Sequence, residues 1–383
     1  MRLGILTFHR SINYGAFMQT YALSSTLQKR YPRHSVEVID FEYLSKHNHY
    51  KIMMHQFPLG IEYSIQYRRF QESLSLLPMS KQSFITDNTD TLCDFIKENY
   101  DIVIVGSDAV WAFQNKMPLD NPYWLFGDRL SGIIKMSYAA SGFTTNFDSV
   151  TQEERAFIKN RLNDFAYIGV RDEATKAFIE SLGLNNEIFL NNDPTFFLEP
   201  AKDISKYRHS LHKNMVFSHR KKISFMTRRM PFIQVIRKEL SPRYDLIHLF
   251  RRNSINDIVS LRSRFLPNLS PLEWYNLFAQ MSLNITYFFH GACMSLINHV
   301  PTIVIDDATT SYKSKYAQLM TDLRLSDRLF YHQSLNLVDL KECIEYLLAN
   351  QEEEKIRITR AINEEIKKSD SFFKTLDSFL GVE

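Results

Sequence analysis

Short apolar runs of strand length recur along this chain, and each leads into a polar loop and then an amphipathic stretch. That alternation restricts the fold to βαβ units around a largely parallel sheet, an α/β protein. The sharpest case is Ile102-Val103-Ile104-Val105, flat and apolar like a strand buried on both faces, which runs straight into Gly106-Ser107-Asp108. Leu3 to Phe8 reads as the first strand and His9 to Tyr14 as a loop. A helix from Gly15 to Arg30 follows, with Phe17, Tyr21, Leu23 and Leu27 at roughly helical spacing. Val36 to Phe41 is the second strand and carries Asp40 near its end, where acidic residues of such folds often face a ligand. Lys135 to Ala140, Ala166 to Val170 and Glu187 to Leu190 complete the strands of the first half.

Past residue 200 the pattern changes. Ala201 to Arg229 is rich in Lys and Arg, with Asp203 as its counter-charge. Leu246 to Phe250, Asn284 to Phe288 and Thr302 to Ile305 read as strands, and His290 to Asn298 as a helix. Ser270-Pro271-Leu272-Glu273 opens another helix, with a Ser cap and Pro at the first position. Two helices close the chain, and the mixed charges of Gln351 to Lys368 suit a solvated face. The expected division is 1–200 and 201–383, two Rossmann-like domains, with Pro194 and Pro200 bracketing a hinge. Ligands of such sheets collect at the carboxyl ends of strands, here in a cleft between the halves.

A length of 383 residues favours two or three domains over one. The 46 basic and 43 acidic residues nearly cancel, which argues against a nucleic-acid binder. Cys93, Cys293 and Cys343 are far apart and give neither a disulfide framework nor a metal spacing, so no metal is expected and a reducing cytoplasm suits the chain. The N-terminal apolar run is too short for a signal peptide, and no window has the length of a membrane span. Action on a membrane-linked substrate would take place at the cytoplasmic face.

Four loops after strands can carry chemistry. In His9-Arg10-Ser11-Ile12-Asn13-Tyr14-Gly15 the helix start attracts an anion, and His9 and Asn13 can add donors. The plainer alternative is a turn capped by Asn13. In Gly106-Ser107-Asp108-Ala109-Val110-Trp111 the glycine permits close approach, Ser107 and Asp108 offer polar groups, and Trp111 can stack on a sugar or belong to the core. In Val170-Arg171-Asp172 the guanidinium is a planar fork for phosphate or carboxylate, unless it pairs with Asp172 at the surface. In Phe289-His290-Gly291-Ala292 an imidazole able to pass protons near neutral pH heads a helix, with small residues beside it that leave room for a ligand. The basic residues Arg220, Lys221, Lys222, Arg228 and Arg229 form either a solvated face or a patch for an anion.

These segments, in order, resemble polysaccharide pyruvyl transferases. The resemblance runs from Leu3-Gly4-Ile5-Leu6-Thr7-Phe8-His9, Asn13-Tyr14-Gly15-Ala16 and Gln19-Thr20-Tyr21-Ala22-Leu23 through Gly106-Ser107-Asp108, Ser137-Tyr138-Ala139-Ala140-Ser141, Val170-Arg171-Asp172-Glu173 and Asn192-Asp193-Pro194-Thr195 to Phe289-His290-Gly291, Ser314-Lys315 and Leu325-Ser326-Asp327-Arg328. The stretch 200–265 matches poorly. Ala109 and Ala112 stand where the family commonly carries Gln and Asn, Tyr287-Phe288 replaces a polar pair, and Lys315 replaces Arg.

The resemblance implies a GT-B-like architecture and transfer of the enolpyruvyl group of phosphoenolpyruvate to two hydroxyls of one sugar, as in exopolysaccharide or capsule biosynthesis. It implies no cofactor beyond that donor substrate. The acceptor would be a sugar or a lipid-linked oligosaccharide. His290 matches the catalytic His, Arg171 would hold the donor, and Phe289 would reach it through its backbone. Gly291, His9, Asn13, Tyr14, Gly15, Ser107, Asp108, Trp111 and Lys315 would shape the substrate site. Two alternatives stand beside this one. A glycosyltransferase using a nucleotide sugar would want an acidic ribose partner such as Asp306 or Asp307, and a catalytically weak glycan-pathway binding protein would only hold ligand.

Overall fold

The structure, a computed structural model, describes residues 1–56, 59–114, 117–201, 220–227, 230–249, 264–265, 269–307 and 314–382. The chain divides into two compact units. The first comprises Met1–Tyr50, Leu74–Phe197 and Ile366–Glu383, and the second Lys51–Ser73 and Leu198–Glu365. The main change of unit falls between Phe197 and Leu198, close to the expected hinge, but the units are not two consecutive segments.

Unit 1 is built on seven parallel strands: β1 (Arg2–Leu6), β2 (Ser35–Glu42), β3 (Met79–Ile85), β4 (Ile102–Val105), β5 (Ile134–Ala140), β6 (Phe165–Val170) and β7 (Ile188–Leu190). Their order is β3-β2-β1-β4-β5-β6-β7, and every neighbouring pair is parallel. Unit 2 has β8 (Lys222–Met226), β9 (Asp245–His248), β10 (Arg264–Phe265), β11 (Leu283–Thr286), β12 (Thr302–Asp306) and β13 (Leu329–Tyr331), ordered β10-β9-β8-β11-β12-β13 and again wholly parallel. Counted from its own first strand, unit 2 winds 3-2-1-4-5-6, the doubly wound pattern of a Rossmann fold, and unit 1 winds the same way with a seventh strand added at its edge.

Local chemistry explains the element borders. Asn13 caps the helix Tyr14–Arg30 by accepting the Gly15 N–H at 3.0 Å. Ser270 and Glu273 form a reciprocal capping box on the helix Pro271–Phe278. Glu273 also receives Arg69 at 2.7 Å, which ties the helix Leu59–Leu74 into unit 2. At the other end of the chain, Phe372, Leu376 and Leu380 recur every fourth residue on the helix Asp370–Leu380 and enter the same core as Leu3, Ile5 and Tyr138. Asp377 on that helix holds Arg30 and Tyr31, each at 2.7 Å. The last helix of the sequence therefore completes unit 1.

Strands β3, β8, β10 and β13 have no counterpart in the sequence pattern. β3 lies at the sheet edge with only Ser80 and Phe84 buried, so it shows no apolar run. β8 begins inside the basic stretch, at Lys222, and its remaining four residues are buried. Arg220 and Lys221 donate to the backbone oxygens of Pro242 and Leu348, while Arg228 and Arg229 lie outside the described residues. Gln351–Ile366 is less solvated than its charges suggest. It buries Glu354 against the fully buried Arg328 of the Ser326-Asp327-Arg328 segment. Among the described residues, no helix is long and apolar enough to cross a membrane, and no group of His, Cys, Asp or Glu is placed to hold a metal ion.

Candidate functional site

A doubly wound sheet forms its ligand crevice where the winding reverses, beyond the carboxyl ends of the two central strands. In unit 1 those strands are β1 and β4, and in unit 2 they are β8 and β11. The residues singled out in the loops follow β1, β4 and β6 in unit 1 and β11 in unit 2.

At the unit 1 switch point a buried polar network joins four chain segments. Gln19 donates through Nε2 to Ser107 Oγ at 2.9 Å and to Asp193 Oδ2 at 2.6 Å. The other Asp193 oxygen accepts the Thr195 N–H and hydroxyl at 3.1 and 2.7 Å. Arg171 donates to Asp193 at 3.1 Å and stands 3.7 Å from Asp108, with 6% of its side chain exposed. Burial alone would lower its pKa, but Asp193, Asp108 and Asp172 together raise it. Arg171 is thus an internally compensated charge rather than an open fork. The surface pairing with Asp172 is also absent, because Asp172 caps the helix Glu173–Glu180 and takes the Ser141 hydroxyl at 2.6 Å.

The loop after β4 is held by its backbone. Gly106 has φ +109°, and a Cβ there would lie 2.3 Å from the Tyr138 carbonyl oxygen, so only glycine fits. Asp108 also has positive φ, +86°, and accepts the Ala109 N–H at 2.8 Å. Its side chain stays partly exposed beside Arg171.

Three expectations for unit 1 are corrected. Trp111 is 1% exposed, stacks on Trp124 at 5.2 Å and gives its indole N–H to the Tyr123 carbonyl, so it is core and offers no face to a sugar. His9 is fully buried. Its Nδ1 meets the Thr7 carbonyl at 3.2 Å and its Nε2 meets Asp40 at 3.0 Å, which leaves no donor for a ligand. Ser107 is buried and gives its hydroxyl to the Ala139 carbonyl. Arg10, not singled out before, grips Asp40 through Nε and Nη2. Burial pushes the Asp40 carboxyl up, but the hydrogen bonds from Arg10 and His9 outweigh it and hold it far below the usual range. Asn13 is exposed at its cap, Tyr14 is half-buried, and Gly15 is buried in the first helical turn.

At the unit 2 switch point, β11 ends at Thr286 and the helix Phe289–Ile297 begins three residues later, with the partly exposed His290 in its first turn. The Phe289 ring lies 5.4 Å from the imidazole, edge to face. Lys315, first residue of the helix Lys315–Asp322, places its ammonium 5.4 Å from the ring centres of both Phe289 and Tyr316. Tyr316 donates its hydroxyl to the Tyr287 carbonyl at 3.0 Å. Its phenol is pushed up to about 12, first by burial and then by Asp306. The structure therefore brings Phe289, His290 and Lys315 together and adds Tyr316, which the sequence reading did not single out.

Gly291 is a correction of a different kind. A Cβ on it would lie 2.5 Å from Met226 Sδ and 2.7 Å from Thr286 Oγ1. Its smallness lets the helix sit on β8 and β11 and leaves no space for a ligand. Asp306 ends β12 and is buried, whereas Asp307 is exposed.

Two doubly wound units, each with polar residues at its switch point, define a protein of the GT-B structural class. The model of the polysaccharide pyruvyl transferase family matches residues 13–309. The chain belongs to that family. Solved structures similar in fold include a UDP-GlcNAc 2-epimerase from Neisseria meningitidis bound to UDP-GlcNAc, with TM-score 0.62 and 12% identity, covering 98% of this chain and 99% of that one. A glycosyltransferase from Rickettsia africae has TM-score 0.58 and 11% identity, with 97% of each chain covered. A UDP-GlcNAc 2-epimerase from Methanocaldococcus jannaschii has TM-score 0.55 and 15% identity, covering 91% of this chain and 93% of that one. At such identities the likeness is one of fold. No curated protein matches the chain.

Proposed function

We propose that this chain transfers the enolpyruvyl group of phosphoenolpyruvate onto two hydroxyls of one sugar in a polysaccharide or glycan precursor. The products are a cyclic pyruvate ketal and phosphate. The observation that carries this reading, beside the family, is His290 in the first turn of a helix at the unit 2 switch point, with the Lys315 ammonium on the neighbouring Phe289 ring. Free N–H groups of the helix start and Lys315 suit a compact anion. His290 would give a proton to the methylene carbon, making the central carbon oxocarbenium-like, and take one from the first attacking hydroxyl. The second hydroxyl closes the ketal as the C–O bond to phosphate breaks, and its proton leaves with phosphate. A lipid-linked acceptor would be met at the cytoplasmic membrane face.

The test is phosphate release from phosphoenolpyruvate across a panel of sugar acceptors. Acceptor-dependent release that collapses in His290→Ala supports the proposal. Sugar transfer from a nucleotide donor, with phosphoenolpyruvate untouched, would replace it with glycosyl transfer.

A further inference from the structure

Two residues, Tyr287 and Phe288, join the end of β11 to the helix that carries His290, and they are the pair that departs from the family pattern. That helix has no side-chain cap, because Phe288 at the N-cap position offers no hydrogen-bonding atom. Its placement therefore depends on ties from other elements, and Tyr287 makes three of them. Its N–H donates to the carbonyl of Met226, the last residue of β8, at 2.9 Å. Its carbonyl accepts the Tyr316 hydroxyl at 3.0 Å. Its own hydroxyl meets Nδ1 of His332, the residue after β13, at 2.9 Å. Phe288 turns its N–H back onto Thr286 Oγ1 at 2.9 Å. The residue three before His290 is thus held from β8, from the helix Lys315–Asp322 and from the end of β13.

Tyr316 is itself fixed in place. Ser314 caps its helix and accepts the Tyr316 N–H at 3.1 Å, which holds the backbone behind the ring. Burial, with Asp306 adding to it, keeps the phenol protonated through the neutral range, so it stays a donor to Tyr287. That one hydroxyl hydrogen is taken by the carbonyl, which gives Tyr316 a supporting part rather than a chemical one. The Tyr316 ring lies 6.2 Å from Phe289, edge to face, and Phe289 lies 5.4 Å from the His290 imidazole. Two routes therefore run from Tyr316 to His290, one along the backbone and one through rings. Tyr287 is a firm intermediary on the first route. It is 8% exposed and sets its ring edge to face with Phe232 at 5.3 Å in the core of unit 2.

We propose that Tyr316 is a positioning residue: through the Tyr287 carbonyl and the Phe289 ring it fixes the first helical turn, and with it the imidazole of His290. The hydrogen bond between Tyr287 and His332 is a second, weaker anchor of the same turn. The effect on rate rests on the pyruvyl-transfer reading, in which His290 passes the protons, but the anchor itself does not. A proton-transfer group works only within hydrogen-bond reach of its target, and a misplacement of about 1 Å costs up to about 10²-fold. The Tyr316 hydroxyl thus sets the rate without touching the reacting atoms.

Tyr316→Phe keeps the ring and deletes the hydroxyl. Initial-rate kinetics on the full chain should give a kcat about tenfold lower, with KM for phosphoenolpyruvate within about twofold and Tm lower by only a few degrees. Tyr287→Phe, which removes the tie to His332, should lower kcat about threefold in the same manner. In a His290→Ala background Tyr316→Phe should change the residual rate no further, since it acts through the imidazole. Nuclear magnetic resonance of the chain carrying isotope-labelled histidine reads the anchor without any turnover. The His290 ring signals, identified by their loss in His290→Ala, should shift or split in Tyr316→Phe. Unshifted His290 signals, a kcat within about twofold of wild type, a loss confined to KM, or an equal loss in the His290→Ala background each overturn the proposal. Shifted signals in a chain that turns over phosphoenolpyruvate on no acceptor keep the anchor and remove pyruvyl transfer. Unshifted signals in a chain that does turn it over remove the anchor and keep pyruvyl transfer.

Discussion

Arg171 donates to Asp193 at 3.1 Å with both side chains almost wholly withdrawn from water. In such a pair each charge offsets much of the cost of burying the other, alongside Gln19 and Thr195 on Asp193 and Asp108 beside Arg171. Arg171→Ala therefore strands the Asp193 carboxylate and should cost about 3–5 kcal/mol of stability. Denaturant unfolding measures it. The double variant with Asp193→Asn should lose less than the sum of the single losses, since the stranded charge is gone. Additive losses would show that the two residues act independently.

His290 sits at a helix start as a partly exposed residue whose Nε2 is withdrawn from solvent, so His290→Ala should change Tm little. Phosphate release from phosphoenolpyruvate should fall about 10²- to 10⁴-fold, the usual worth of a positioned proton-transfer group. A variant that retains turnover would remove His290 from the chemistry.

Lys315→Met keeps the side chain's length and apolar contact with Phe289 and Tyr316 but deletes the charge. It should raise KM for phosphoenolpyruvate about tenfold, a loss near 1.4 kcal/mol, with Lys315→Arg restoring most of it. Initial-rate kinetics over a donor series decide this.

Gly291→Ala drives a methyl toward Met226 Sδ and Thr286 Oγ1 at 2.5 and 2.7 Å. Overpacking at such a site costs about 1–3 kcal/mol. A Met226→Ala background should recover part of that loss, because one of the two obstructing atoms is removed. Thermal unfolding of the two single variants and the double variant provides the comparison.

Asp40 predicts an acid limit. Its folded carboxyl is held far below the unfolded value of about 3.9. Its contribution is therefore complete above that unfolded value and disappears as pH falls toward the folded one. Unfolding curves between pH 7 and pH 2 should show the wild type losing stability below about pH 4. Asp40→Asn should be weaker at pH 7 and flatter through the acid range.

Much of the architecture was legible because period and order are local properties. The buried run Ile102-Val103-Ile104-Val105 is β4 residue for residue, and the Ser270 cap opens its helix where the Ser-Pro-x-Glu spacing places it. Edge strand β3 was hidden because an exposed edge needs no apolar run, and β8 because charges at its entrance masked four buried residues. Membership of the sheets was also out of reach for the terminal helix. Its apolar stripe shows that Phe372, Leu376 and Leu380 must be buried, but not that their partners are Leu3 and Ile5 at the far end of the chain.

The sequence by itself determined two parallel α/β halves and the loops after β1, β4 and β11, since those follow from hydrophobic spacing and from which residue types can start a helix. Only the tertiary structure decided which polar side chains remain available there. Trp111 and His9 have partners 12 and 31 residues away that take up their hydrogen-bonding atoms, and Arg171 has its charge compensated by Asp193, 22 residues away, whereas His290 is a partly exposed residue. A residue's chemistry is written in its name, but its availability depends on which distant groups the fold brings within hydrogen-bond distance of it.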